Sequence, residues 1–201
     1  MVDSLAGEAS PPGSYRLPDL AGSTIVVTGG GQGIGAAIAR GAARSGARVV
    51  IDGRRDETLE RVCAEIRKDG GSAEYLRGSV TDPDHVAELM ALAAAGSGAI
   101  NALVNNAGIA GPTAPLSEVS LEDWNETVAV NLTGVFLACR AALPYLRRAP
   151  RAKIVNIGSV TGKRPLPHRA PYAAAKLGVV GLTRTLAHEV GPLGISVNNI
   201  S

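Results

Sequence analysis

The sequence predicts a single α/β domain built on a doubly wound parallel sheet. Short β-rich runs alternate with helical segments, which is the pattern of parallel strands joined by crossover helices. The runs are apolar throughout rather than at every second position, as in TIVVT at 24–28 and ARVVID at 47–52. Such strands are typical of a sheet with both faces covered. A glycine-rich turn, 29–35, joins the first run to the first helix.

The same patterns predict where each element lies. We expect strands at residues 24–28, 47–52, 73–76, 102–105, 153–157 and 195–198. We expect helices from Ile34, over 56–69, after Asp82, over 120–146 and over 171–190. Asp82 before Pro83, and Ser120 with Asp123 three residues later, are typical helix starts. Residues 1–21, rich in proline, are expected to form a flexible tail, with 22–201 as the folded domain.

Composition excludes several classes of protein. A net charge of +2 without a long basic run argues against a nucleic-acid binder. No apolar run has the length of a membrane span, so we expect no membrane partner. The two cysteines, Cys63 and Cys139, match no metal or redox spacing. We therefore expect buried, reduced thiols, a cytoplasmic location and no metal.

The turn T-G-G-G-Q-G-I-G at residues 28–35 lies between the first strand and the first helix. Glycines allow a sharp turn and let backbone N–H groups come close to a pyrophosphate. The N-terminus of the helix adds a partial positive charge. In this context the turn predicts a dinucleotide site, and a tight turn that binds nothing is the alternative.

At this turn the chain resembles the short-chain dehydrogenase/reductase family, through the spacing T-G-x-x-x-G-x-G. Four further segments of that family follow in order. They are Asn105-Asn106-Ala107-Gly108, Asn131 in VNLTG, Ser159 after the fifth strand, and Tyr172-x-x-x-Lys176. The resemblance covers about residues 22–201 and implies a Rossmann-type domain that moves hydride between a nicotinamide and a secondary alcohol or ketone.

Tyr172 and Lys176 are four residues apart, so they share one face of a helix. A phenol ordinarily loses its proton only near pH 10, and a nearby ammonium favours the phenolate. By resemblance, Tyr172 is the general acid/base and Lys176 supports it and binds the nicotinamide ribose. Ser159 would orient the substrate oxygen, and Asn131 would hold a water that links Lys176 to solvent.

The resemblance also implies the residues that hold NAD(P)(H). Besides Tyr172 and Lys176, we expect these to be Gly29, Gly31, Gln32, Gly33, Ile34, Gly35, Asp52, Arg54, Arg55, Ser79, Val80, Asn106, Ala107 and Gly108.

Two interpretations compete for the choice of cofactor. Asp52 lies about twenty residues after the glycines, where an acid binds the ribose of NAD(H). Aligned with the family, however, Gly53 takes the acidic position and Arg54 the next one, which favours NADP(H). A guanidinium suits a 2′-phosphate in charge and geometry. Asp52 would oppose that phosphate, and Gln32 is not the basic residue often found in the glycine turn of NADP enzymes.

The family's ordinary members run to about 250 residues, within the single-domain range. The resemblance implies that a substrate-covering segment and a last strand should follow Ser201, so we expect the final strand to be missing here. The alternative function is therefore a weak or inactive nucleotide-binding fragment. A sugar epimerase or dehydratase is disfavoured by length. We expect a homodimer through the helices at 120–146 and 171–190, and a tetramer only for a longer chain.

Overall fold

A computed structural model of the chain describes residues 19–164 and 166–201. Most of the predicted tail, residues 1–18, lies outside the described residues. Leu20, inside the predicted tail, donates its backbone N–H to the carbonyl oxygen of Ser45 at 2.7 Å and packs against the core. The ordered contacts of the domain therefore begin slightly before residue 22.

The predicted parallel sheet is confirmed. Its six strands pair in the order β3-β2-β1-β4-β5-β6, and every pair is parallel. The strands are β1 (Thr24–Val27), β2 (Arg48–Gly53), β3 (Ser72–Arg77), β4 (Ala102–Asn105), β5 (Lys153–Ile157) and β6 (Ser196–Ile200). The order reverses direction between β1 and β4, and in open α/β sheets such a switch opens a crevice at the carboxyl ends of the strands.

The helices cover both faces of the sheet. They are α1 (Gly33–Arg44), α2 (Asp56–Lys68), α3 (Pro83–Ala94), α4 (Leu121–Val128), α5 (Gly134–Leu146) and α6 (Ala170–Val190). On one face Val27 and Ile51 pack with residues of α1 and α2. On the other face Val26 and Leu103 pack with residues of α3, α5 and α6. This burial on both faces explains why the strands are apolar at successive positions.

Local helix starts follow the predicted chemistry. The side chain of Asp82 accepts hydrogen bonds from the backbone N–H groups of Asp84 and His85, with Pro83 in the first turn of α3. The hydroxyl of Ser120 accepts from the N–H of Asp123 at 3.0 Å. Both caps depend only on neighbours in the sequence, so they could be found from sequence alone.

The predicted helix over 120–146 is interrupted by a π-helical turn, Ala129–Thr133, between α4 and α5. The side-chain amide of Asn131 donates to the carbonyl oxygen of Thr127 at 2.9 Å. This bond occupies an acceptor that a regular α-helix would use for a backbone N–H. Turns of this kind are frequent at functional sites.

The stretch Leu121–Leu146 is long and apolar enough to cross a membrane by length and composition alone, contrary to the sequence-based expectation. It packs against α3 and α6, however, and Leu146 is fully buried in the core. A core helix of an α/β domain meets the same two criteria, so this composition reflects burial under the sheet.

The far edge of the sheet differs slightly from the prediction. Strand β6 ends at Ile200 rather than at Asn198 and pairs on one side with β5. Within the described residues its other side has no neighbouring strand, and the side chain of Ile200 is 60% exposed. The exposed side chain of Ile200 therefore makes this edge partly apolar.

Candidate active site

A cavity of about 960 Å³ opens at the carboxyl ends of the strands, beside the switch between β1 and β4. Its walls are the glycine turn after β1, the end of β2 and the segments that follow β3 and β4. Its position is therefore the one that parallel α/β sheets use for nucleotides. The predicted residues that line it are Gly29, Gly31, Gln32, Gly33, Ile34, Asp52, Arg54, Arg55, Ser79, Val80, Asn106, Ala107 and Gly108.

The glycine turn can be built only without side chains at its two ends. Gly29 has a φ of +65°, and a Cβ there would lie 2.8 Å from Cα of Ala107. A Cβ on Gly35 would lie 2.4 Å from both the carbonyl oxygen of Gly29 and Nδ2 of Asn106. Gly35 does not line the cavity, so it allows the turn to close rather than contacting the cavity itself.

The segment after β4 is tied to the same turn through Thr28. The hydroxyl of Thr28 accepts hydrogen bonds from the backbone N–H groups of Asn106 and Ala107, at 3.0 and 3.1 Å. In return, the side-chain amide of Asn106 donates to the carbonyl oxygens of Thr28 and Gly29. The glycine turn and the segment after β4 are therefore held together by hydrogen bonds donated from the backbone and the side chain of that segment.

The carboxyl of Asp52 binds the glycine turn and is not exposed at the opening of the cavity. It is completely buried, and Oδ1 accepts the backbone N–H of Gly29 at 2.8 Å. Oδ2 lies 3.3 Å from Nε2 of His85. Both oxygens of Asp52 already have partners within the protein, so a ribose bound there, as the spacing rule suggests, would have to share them.

Arg54 and Arg55 are exposed at the mouth of the cavity. A guanidinium nitrogen of Arg55 donates to the side-chain oxygen of Gln32, which joins two walls of the cavity. The side chain of Arg54 forms no hydrogen bond with another residue of the described chain. Of the two guanidinium groups, that of Arg54 is thus the better placed to meet an anion.

Ser79 and Val80 line the cavity on the side of β3. The hydroxyl of Ser79 lies 2.8 Å from that of Thr81, and Val80 is buried against Gly134 at the start of α5. The backbone at Val80 is consequently held by packing, whereas the side chain of Ser79 is engaged within its own loop.

Tyr172 and Lys176 lie in the first two turns of α6, outside the lining of the large cavity. Nζ of Lys176 is 5.8 Å from the centre of the Tyr172 ring and donates to the carbonyl oxygen of Ile157 at 2.8 Å. The guanidinium of Arg169 lies 5.2 Å from the same ring and is held by a bond to Thr113. Lys176 is 5% exposed, and burial lowers the pKa of its ammonium.

Asn131 and Lys176 meet at Gly108. A Cβ on Gly108 would lie 2.8 Å from Oδ1 of Asn131 and 3.8 Å from Nζ of Lys176. Oδ1 of Asn131 is buried and accepts no hydrogen bond from the described residues, while its Nδ2 donates to the carbonyl oxygens of Ile109 and Thr127. An acceptor and a donor thus face one small space beside the cavity wall, which is the arrangement a bridging water needs.

Ser159 follows β5 and is half-buried. Its hydroxyl oxygen accepts the N–H of Thr161 at 3.2 Å and caps the short 3₁₀ turn Val160–Gly162. This turn packs against α6, because a Cβ on Gly162 would touch the backbone of Leu177. Ser159 thus lies at the carboxyl end of β5, beside a turn that packs against the helix that carries Tyr172.

Sequence reasoning missed His85 and Thr28. His85 lies 33 positions from its partner Asp52, and Thr28 lies 78 positions from Asn106. Thr28 is the threonine of the T-G-x-x-x-G-x-G turn, but neither contact could be read from spacing, because each joins segments far apart in the sequence. The carbonyl oxygen of Ile157, which receives Lys176, carries no side-chain signal at all.

The residues present fit a dinucleotide. The turn leaves no room for a Cβ at Gly29 and Gly35, the cavity beside it is large enough for an extended ligand, and the mouth carries two arginines. The N-terminus of α1 begins at Gly33, so its first N–H groups are available to a pyrophosphate.

Comparisons with known proteins agree with this geometry. A model of the short chain dehydrogenase family matches residues 23–201. Cis-4-hydroxycyclohexanecarboxylate dehydrogenase of Sinomonas cyclohexanicum is 43% identical over 88% of this chain and 70% of its own length. D-threitol dehydrogenase of Mycolicibacterium smegmatis is 40% identical over 98% of this chain and 74% of its own length.

A solved structure gives the same answer. The crystal structure of a metagenomic short-chain oxidoreductase in complex with NADP superposes with a TM-score of 0.86 and 38% identity, over 90% of this chain and 82% of that one. The chain therefore belongs to the short-chain dehydrogenase family, and it is an NAD(P)-dependent oxidoreductase that acts on alcohol and carbonyl groups.

Proposed function

We propose that this chain interconverts a secondary alcohol and its ketone with NADP(H), using Tyr172 as general acid/base. The observation that carries the proposal is the buried ammonium of Lys176, placed 5.8 Å from the ring of Tyr172 and beside Gly108 on the cavity wall. A nicotinamide bound in the cavity supplies or accepts the hydride. The protein's own groups handle the proton and the orientation of the substrate.

In the direction of reduction, the hydroxyl of Tyr172 donates its proton to the carbonyl oxygen of the substrate. The ammonium of Lys176 stabilises the phenolate that remains, and it is held for this purpose by the carbonyl oxygen of Ile157. A water between Oδ1 of Asn131 and Nζ of Lys176 would return a proton from solvent. The hydroxyl of Ser159 can donate to the same substrate oxygen, because it already accepts from Thr161 and keeps its own hydrogen.

The direct test of this activity is a screen of secondary alcohols and ketones with both cofactors. Cyclic secondary alcohols belong in the first panel, because the Sinomonas relative is named for a hydroxycyclohexane substrate. Turnover restricted to primary alcohols, or to substrates without an alcohol or carbonyl group, would contradict the proposal.

The preference for NADP(H) is supported by where the charges lie. The carboxyl of Asp52, which would repel a 2′-phosphate, is buried and turned to Gly29 and His85. Arg54 and Arg55 are exposed at the mouth instead. A guanidinium there meets a phosphate with charge and with a planar pair of donors.

We predict that Arg54→Ala weakens NADP binding and leaves NAD binding almost unchanged. A charge-assisted contact contributes about 1.5–3 kcal/mol, so the dissociation constant for NADP should rise by about 10-fold to 150-fold. Titration of both cofactors against both proteins measures the effect. Arg61→Ala is the matched control, because it removes the same charge from an exposed site on α2 that does not line the cavity. Equal weakening for NAD and NADP would contradict the assignment.

We further propose a homodimer formed through α4, α5 and α6. These helices expose large apolar side chains, with Leu121 74%, Phe136 43% and Leu177 55% exposed. A two-fold axis would bury the same patch on both copies and needs no other surface.

Cys63 and Cys139 are both free and buried, which is consistent with a reducing, cytoplasmic location.

We predict that Phe136→Glu converts the dimer to a monomer at micromolar concentrations, because it places a charge in the apolar patch. Leu193→Glu, at an exposed apolar residue after α6, should leave the dimer intact. Sedimentation of the three proteins measures this directly. A monomeric parent chain would refute the dimer, and a broad distribution that grows with concentration would indicate association through the exposed edge of β6 instead.

A further inference from the structure

His85, in helix α3, lies under the floor of the cavity and is not one of the proposed catalytic residues. It is 8% exposed, and Nε2 lies 3.3 Å from Oδ2 of Asp52. The ring also rests on Gly78, where a Cβ would lie 2.1 Å from Nδ1 of His85. Because Asp52 and Gly78 both border the cavity, His85 touches its floor at two points.

Asp52 passes this support to the glycine turn. Oδ1 of Asp52 accepts the N–H of Gly29, and the backbone carbonyl oxygen of Asp52 accepts the N–H of Gly30 at 3.0 Å. Gly29 has a left-handed conformation, with a φ of +65°, which these bonds hold in place. Asp52, from the neighbouring strand, therefore holds two successive residues of the turn that would meet the pyrophosphate, in addition to the bond that Asn106 donates to Gly29.

A carboxylate only accepts hydrogen bonds, so Nε2 of His85 is the donor to Oδ2. Asp52 is 0% exposed and depends on its two partners to compensate for its lost hydration. Without the donor of His85, Oδ2 of Asp52 would be buried with no hydrogen-bond partner. We expect the carboxyl then to rotate towards the cavity, where water can hydrogen-bond to it. That rotation would break its bond to Gly29.

We propose that His85 is a positioning residue for the dinucleotide, acting through Asp52 on the glycine turn. It serves the affinity for NAD and NADP alike, because the pyrophosphate is common to both. The inference uses the family's dinucleotide binding and is independent of the proposed preference for NADP.

The test compares three variants of the full chain by titration with NAD and with NADP. His85→Leu removes the donor and should raise both dissociation constants by about tenfold or more, by the same factor for each. His85→Gln places an amide N–H near the position of Nε2 and should restore affinity to within about threefold. His188→Leu, at an exposed histidine in the last turn of α6, should change nothing. The kcat at saturating cofactor should stay close to that of the parent in all three.

A role in core packing alone predicts a different result, in which Leu preserves cofactor affinity, or Gln is as damaging as Leu. Either would overturn the proposal, and so would unequal effects on NAD and NADP. Should His85→Leu fail to fold, the same question is answered by combining Asp52→Asn with His85→Ala, which also removes the donor. If His85 acts through Asp52, the two changes are not additive in the dissociation constant. Additive effects would refute the relay.

Discussion

Replacement of Tyr172 by phenylalanine should lower kcat by about a hundredfold or more, because positioned proton transfer contributes about that much. The change removes only the hydroxyl. The ring keeps its place between Arg169 and Lys176, at 5.2 and 5.8 Å, so cofactor affinity and thermal stability should be nearly unchanged. Steady-state kinetics, a cofactor titration and a melting curve on the same preparation test the three parts together.

Tyr145→Phe is the matched control for this experiment. Tyr145 also lies beside a cation, with Arg148 at 5.6 Å from its ring, but it belongs to α5 and lies outside the candidate site. The same atom is deleted in a similar environment, and kcat should not change. Comparable kcat for Tyr172→Phe and the parent would remove Tyr172 from the proposed chemistry.

Gly35→Ala should abolish measurable binding of either cofactor. The added Cβ would lie 2.4 Å from the carbonyl oxygen of Gly29, which is backbone and cannot rotate away. Overpacking of this kind costs about 1–3 kcal/mol, and relieving it must distort the turn that faces the cavity. The expected result is a lower melting temperature together with a cofactor titration that shows no saturation.

Gly41→Ala, in the same helix α1, gives the comparison. A Cβ at Gly41 meets nothing within 4 Å. This change should raise stability by about 1 kcal/mol through helix propensity and leave cofactor affinity unchanged. If both alanine variants bind equally well, the close approach at Gly35 does not control the nucleotide turn.

The positions of the strands and the helix caps could be predicted because their causes are local. An apolar run buried on both faces is visible in the letters of β1 and β2, and the caps at Asp82 and Ser120 depend on residues two or three positions away. The glycine turn was predictable for the same reason, since its strand and helix adjoin it directly.

The orientation of Asp52 could not be predicted. Sequence spacing places it near the ribose, but the buried partner His85 comes from α3 and turns the carboxyl under the turn. The π-helical turn at Asn131 escaped for a related reason, because the amide bonds both Thr127 and the distant Ile109. In each case the side chain is oriented by a partner that is distant in the sequence and close only in the folded chain.

The most direct measurement of the central claim follows deuterium from reduced cofactor labelled at the nicotinamide C4 into the product. With NADPH and an accepted ketone, the chain should place deuterium on the carbinol carbon of the alcohol, and Tyr172→Phe should place almost none there in the same time. A chain that binds the labelled cofactor tightly but transfers no deuterium to any ketone in the panel would contradict this account and indicate nucleotide binding without turnover.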